Sequence, residues 1–366
     1  MWDYTYTVVH PDDAHPTATL LMFPSTTLLS SREEWRACAE YLADLGYQSI
    51  LFDWPGWHQR NAPLNWSIED DIVEKNVLST FAEFAYSALG HASSNYAERP
   101  IHIVIAGGNG GVHVKRALAE LAREGAGFAS FACFSPTWRF YLKRRVPEGF
   151  PRKLARRQAI AETLLDHTFV RSKALFRIYK SKLGLSRLTK RFYEDKIQHN
   201  ADMLEAKREV IMRERPLTID AAMIVGHFDP VSSTHDLVKE LVGIDPTATE
   251  DHNDDSDEDD SLLNIKVPNW AKQQAKSETG SQRPVSDPLK TIPILLVIPE
   301  DVIGADKIEL KTVAEWSQHA GATISCIPGK LFAHEESPAL SATILHEFIE
   351  SLGQQAGTPR HLENSA

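Results

Sequence analysis

The chain has 366 residues, 42% of them hydrophobic, enough to bury one large core or two smaller ones. No stretch approaches the roughly 18–20 consecutive apolar residues needed to cross a bilayer, and the opening MWDYTYTVVHPDDAHP lacks the basic n-region of a secretory leader. The net charge of −11 conceals an asymmetry: residues 139–215 hold 21 Lys or Arg against 9 Asp or Glu, a local +12, which leaves −23 on the rest.

Residues 4–10 alternate weakly and suggest an early edge strand. The first strong element covers 17–23 and is closed by Pro24-Ser25-Thr26-Thr27, a Ser/Thr loop placed to offer backbone donors to an oxyanion. Ser31 and Glu34 then have the spacing of a capping box for a helix reaching Leu45, with Trp35, Cys38, Tyr41, Leu42 and Leu45 on its apolar face. A second strand is expected over 47–52, followed by Asp53-Trp54-Pro55-Gly56-Trp57 and a long helix over 68–89.

Residues 101–117, IHIVIAGGNGGVHVKRA, form the centre of the pattern. An apolar β-branched run enters a glycine cluster and passes directly into a helical period, which reads as strand, sharp turn, helix. Such a unit serves either as a phosphate cradle or as a nucleophile elbow of form G-x-S-x-G. A Walker loop needs Lys-Ser or Lys-Thr after its last glycine, where Val112-His113 stand, and a G-x-G-x-x-G loop begun at Gly108 meets His113 in place of its third glycine. Gly107-Gly108-Asn109-Gly110-Gly111 fits G-x-N-x-G, so spacing puts Asn109 at the nucleophile position.

A further strand over 128–134 ends in Ser135-Pro136-Thr137-Trp138. The alternation of strands and helices predicts an α/β fold with a mostly parallel sheet, whose ligands bind beyond the carboxyl ends of the strands. The loops at 24–27, 53–57, 107–111 and 135–138 therefore face one crevice. The expected organisation is a first core part over 1–138, a mainly helical basic cap over 139–244, an acidic disordered loop over 245–287, a second core part over 288–353 and a frayed tail over 354–366. Within the cap segment, Asp229 reads either as an acid at a strand end or as a turn residue before a helix starting at Thr234. Strands are expected over 292–298 and 323–327, and helices over 307–320, with Leu310, Val313 and Trp316 on one face, and over 339–352. The acidic block DHNDDSDEDD lacks the central Gly and terminal Glu of a Ca²⁺ loop, so no metal is expected, and no cofactor motif is present. Cys38, Cys133 and Cys326 are odd in number, far apart and set in apolar surroundings, which fits reduced buried thiols in the cytoplasm or another reducing compartment.

With these elements in place the chain resembles the α/β-hydrolase superfamily from about residue 17 to 352. Within it, the chain is similar to a plant and cyanobacterial hydrolase-like branch through Asp53-Trp54-Pro55-Gly56, Pro136-Thr137-Trp138-Arg139 and Leu331-Phe332-Ala333-His334-Glu335-Glu336. The resemblance implies an α/β-hydrolase fold with an inserted helical cap and a Ser, Asp or Glu, and His triad. Here the nucleophile position holds Asn109, the histidine position holds Leu331, and the acid is matched to Glu300, Asp301 or, less directly, Asp229. An amide cannot be activated as a serine or cysteine is, and leucine cannot carry a proton.

The expectation is thus a hydrolase-fold protein with a degenerate triad, serving as a non-hydrolytic small-molecule-binding or scaffold protein. The alternative is an esterase-like enzyme with a displaced nucleophile, Ser25 or Ser135, and His334 as base; whether the chain is an enzyme stays open. Ser25, Thr26, Trp54, Gly108, Asn109, Gly110, Trp138 and Phe332 are the expected pocket and oxyanion-loop residues, taking a small apolar molecule. The basic segment suits an anionic surface or acidic partner. No nucleic-acid reader motif accompanies it, so sequence-specific nucleic-acid binding is not expected.

Overall fold

A computed structural model describes residues 6–12, 15–27, 29–55, 70–96, 98–137, 181–194, 201–212, 230–231, 233–243, 292–302 and 305–357. Trp57, Trp138, Asp229, most of the basic segment, the acidic block and residues 358–366 lie outside them.

The strands are β1 (Tyr6–Val9), β2 (Ala18–Phe23), β3 (Tyr47–Phe52), β4 (Ile101–Ala106), β5 (Ser130–Phe134), β6 (Ile294–Pro299) and β7 (Thr323–Ile327). They form one sheet in the order β1-β3-β2-β4-β5-β6-β7. Only β1 runs antiparallel to its neighbour, with Tyr6 opposite Phe52 and Val9 opposite Ser49; the other pairings are parallel.

The helices are α1 (Arg36–Asp44), α2 (Asp70–Asn95), α3 (Gly108–Arg123), α4 (Lys182–Phe192), α5 (Ala201–Met212), α6 (Thr234–Val242), α7 (Ala305–His319), the single turn α8 (Ala333–Glu336) and α9 (Pro338–Gly357). Successive strand residues point to opposite faces, and both faces of the central strands are covered, so these strands read as unbroken apolar runs. In β4, Ile101, Ile103 and Ile105 join Phe84 and Leu89 of α2, Val112 and Leu118 of α3 and Leu237 of α6. Val104 and Ala106 face the other way, in the cluster holding Cys38 and Leu42 of α1 and Leu345 and Phe348 of α9.

Several sequence expectations are corrected. A 3₁₀ turn, Arg32–Trp35, precedes α1, and the Ser31 side chain caps nothing. Glu34 is buried and points instead to Ser25, so the capping box does not form. Tyr41 and Leu45 are exposed rather than part of the buried face of α1, Trp316 is 36% exposed, and Cys326 is exposed although Cys38 and Cys133 are buried. All of these cysteines are free thiols, and burial pushes the pKa of Cys38 and Cys133 up, which keeps them protonated. Among the described residues, no helix is long and apolar enough to cross a membrane.

Candidate functional site

Parallel strands deliver their following loops to the same edge of the sheet, so the segments after β2, β3, β4, β5, β6 and β7 converge. The sharp turn between β4 and α3 is made by Gly107, with φ 82° and ψ 138°, a conformation that favours glycine. The helix starts at Gly108, so Asn109 lies within its first turn and is 4% exposed. The positive-φ residue thus lies two positions before Asn109. A Cβ at 107 would meet Ser25 Cβ at an ordinary 3.6 Å, whereas one at 108 would come within 2.7 Å of the Thr137 carbonyl oxygen and 2.9 Å of Leu237.

A serine hydrolase uses two backbone N–H groups for its oxyanion: that of the residue after the nucleophile, and one from the loop after the strand beside the elbow strand. The corresponding groups here are those of Gly108 and Ser25. Gly108 N–H donates to the Thr137 carbonyl at 2.9 Å, and Ser25 N–H donates to Glu34 Oε1 at 2.6 Å. The Ser25 hydroxyl is bonded to the Ser30 hydroxyl, which also bonds Thr27 Oγ1 at 2.7 Å, and Thr26 is buried in the same loop.

Two aromatic residues expected to line a pocket are buried against other rings. Trp54 is fully buried, donates Nε1–H to the Pro24 carbonyl at 2.6 Å and stacks on Phe81 with centroids 4.9 Å apart. Its ring lies 3.1 Å from the position of a Cβ at Gly110, so it covers the start of α3. Phe332 is 2% exposed and stacks on Phe192, at the end of α4, with centroids 4.9 Å apart.

At the acid position, Asp301 is exposed and binds backbone rather than an imidazole: its Oδ2 accepts from Gly329 N–H at 2.8 Å, and its own N–H donates to the Gly329 carbonyl. Leu331 is buried, and its carbonyl accepts the Ser135 hydroxyl at 2.7 Å. Ser135 has φ 49°, the left-handed conformation, and its side chain is thereby held against the loop after β7.

His334 is completely buried in α8, 4.4 Å from the Trp35 ring and 5.6 Å from the Phe332 ring. Its Nε2 is 3.5 Å from Glu34 Oε1, and neither ring nitrogen makes a hydrogen bond to any described residue. Ser25, Ser135 and His334 thus share one region, but no nucleophile–base hydrogen bond joins them.

Helices α4 and α5 pack against this region. Along α5, Met203, Val210 and Ile211 pack inward at helical spacing, and Lys207 occupies the same stripe at 4% exposure. Its ammonium is 2.8 Å from Glu335 Oε1 and 5.6 and 5.7 Å from the centroids of Phe332 and Tyr193, and it reaches the Leu29 carbonyl at 3.4 Å. Tyr193 donates its hydroxyl to Glu335 Oε2 at 2.7 Å. Burial, followed by the negative charge of Glu335, Glu34 and Glu336, holds that phenol protonated well above its ordinary range. In the sequence, Glu34 matches the spacing of a helix cap, and Lys207 gives one usable signal, a lysine inside an apolar helical stripe. Among the described residues, no cluster of His, Cys, Asp and Glu suits a metal ion.

No protein-family model and no curated protein sequence matches the chain. Solved structures do. An esterase from Exiguobacterium antarcticum is similar at a TM-score of 0.54 and 10% identity, covering 95% of each chain. A putative aryl esterase from Burkholderia cenocepacia gives 0.53 at 12% identity and 95% of each chain. A soluble variant of monoglyceride lipase from Saccharomyces cerevisiae gives 0.51 at 10% identity, covering 97% of this chain and 95% of the other. Together with the sheet order, these similarities define the class: the chain has the α/β-hydrolase fold.

Proposed function

We propose that this is a non-hydrolytic α/β-hydrolase-fold protein that acts by binding or as a scaffold, in the degenerate branch to which its sequence is similar. The observation that carries the reading is the occupancy of the elbow. The turn residue is Gly107, which has no side chain to attack a carbonyl, and the N–H groups of Gly108 and Ser25 are bonded to Thr137 and Glu34. Hydrolysis needs a nucleophile within reach of a base and donors aimed at the developing oxyanion. The fallback bases and nucleophiles supply neither: His334 has no hydroxyl partner, and Ser25 and Ser135 are bonded to Ser30 and the Leu331 carbonyl. The burial of Trp54 and Phe332 weakens the case for an apolar small-molecule pocket and favours a scaffold role. The excess of Lys and Arg over 139–215 supports an anionic surface or acidic partner for it.

The test is turnover of short- and long-chain p-nitrophenyl esters by the wild type and His334→Ala, together with labelling by a fluorophosphonate probe. The wild type is expected to match buffer and to remain unlabelled. Ester turnover abolished by His334→Ala, or labelling at Ser25 or Ser135, would establish the esterase-like alternative.

A further inference from the structure

The cap–core junction contains an arrangement that triad loss does not explain. Three carboxylates, Glu34, Glu335 and Glu336, act on Tyr193, and Glu335 bonds the Tyr193 hydroxyl directly. Glu336 is held by backbone: its Oε2 accepts from Lys330 N–H at 3.0 Å, and its Oε1 accepts from Glu194 N–H. Lys207 is the cation bonded to Glu335, and the Lys330 ammonium donates to the Lys190 carbonyl at 3.1 Å. Around Lys207 stand a carboxylate, two aromatic rings and a backbone carbonyl, the combination that recognises an ammonium group.

We propose that Glu335, Phe332, Tyr193 and the Leu29 carbonyl form an ammonium-binding site, with Lys207 as its resident occupant, for which a primary alkylammonium ligand competes. The parts facing Lys207 belong mostly to the core: Leu29 to the loop after β2, and Phe332 and Glu335 to the segment after β7. Lys207 comes from a cap helix. Its departure would leave the partly buried Glu335 carboxylate without the ammonium 2.8 Å away, an unfavourable state that a second cation relieves. An anion would meet repulsion there, and a neutral alcohol would satisfy the carbonyl without balancing the charge. The site is thus selective by charge first and by the aromatic walls second.

n-Butylammonium, which reproduces the lysine side chain beyond its Cα, is the probe, with n-butanol as the neutral control. Lys207→Ala is expected to lower Tm, with millimolar n-butylammonium restoring several degrees of it and n-butanol restoring none, as mass action on the native state requires. In a Lys207→Ala/Glu335→Gln double variant, the midpoint of that rescue should rise roughly 30-fold or more. Wild type should respond saturably in tryptophan fluorescence, with a midpoint well above that of Lys207→Ala because Lys207 competes. Equal effects of amine and alcohol would overturn the site, and a wild type without saturable response would overturn the competition. If Lys207→Ala does not fold, the wild-type titration carries the test: a saturable response to n-butylammonium and none to n-butanol is expected, and equal responses to the two would overturn the site. These outcomes do not depend on ester turnover, so this proposal and the non-hydrolytic reading fail separately.

Discussion

On the non-hydrolytic reading proposed above, placing a serine at the turn separates a missing nucleophile from a missing apparatus around it. In Gly107→Ser the new Cβ has room, 3.6 Å from Ser25 Cβ, so the cost is mainly that of holding an L-residue at φ 82°. That cost is about 1–3 kcal/mol. Activity should nevertheless stay at background. Each oxyanion donor that cannot reach the substrate withholds about 10²–10³ in kcat, and here both would have to be freed. His334 adds a further barrier, since it is enclosed by Trp35 and Phe332 and lies beside Glu34. Urea denaturation followed by the p-nitrophenyl ester assay reads both effects. Asn109→Ser, with its side chain inside α3, should be equally inactive. Ester turnover by Gly107→Ser that disappears in Gly107→Ser/His334→Ala would refute the occupied-donor argument, because such activity requires the Gly108 and Ser25 N–H groups to be available.

His102 is buried on β4 beside Ser130, with Nδ1 and Oγ 2.8 Å apart, and burial pushes its pKa down to about 4. Between there and the ordinary value near 6.5, the unfolded chain binds a proton that the native chain does not, so stability rises with pH through that window. Acidification from pH 7 to 4 should therefore remove about 3 kcal/mol through this residue, and His102→Gln should flatten that part of the curve in urea titrations; an unchanged slope would exclude His102 as its source. Glu335→Gln leaves the buried Lys207 ammonium without its carboxylate and is expected to cost about 3–5 kcal/mol. Glu335→Gln combined with Lys207→Met should recover much of that loss. If the double variant is as unstable as the two single changes added together, the ion pair is not the source.

The fold was legible because both faces of the central strands are buried. Runs such as Ile101–Ala106 and Ala18–Phe23 therefore stand out without alternation, and Ser233 announces α6 by accepting from Asp236 N–H. The site was legible only as a location. Glycine spacing located the elbow but could not say which residue turns, since that depends on where α3 starts, and Gly107 through Gly111 offer several starting points. Glu34 matched a local capping rule, yet the 3₁₀ turn at Arg32–Trp35 aims it across the loop at Ser25, a partner nine residues back. The aromatic residues near the crevice were ambiguous for the same reason. Only tertiary packing places Trp54 on Phe81 and Phe332 on Phe192.

The glycines at the start of α3 have a packing explanation, and it is testable. A Cβ at Gly110 would lie 3.1 Å from both Ile105 and Trp54, and one at Gly111 would lie 3.0 Å from Leu241 and 3.4 Å from Cys133 Sγ. These neighbours are core side chains on β4, β5, α6 and the loop after β3, so α3 can lie this close to the sheet only where it presents no side chain. Alanine at either position would gain about 1 kcal/mol of helix propensity and lose about 1–3 kcal/mol to overpacking. Net destabilisation is expected for Gly110→Ala, where Trp54 is fixed by its bond to the Pro24 carbonyl, and a smaller effect is expected for Gly111→Ala if Leu241 can shift. Gly125 is the control: it has open space around its Cβ but φ 91°, so alanine there meets backbone strain alone. If Gly110→Ala proves as stable as wild type in urea denaturation, close packing of α3 against the sheet does not explain why glycine stands there.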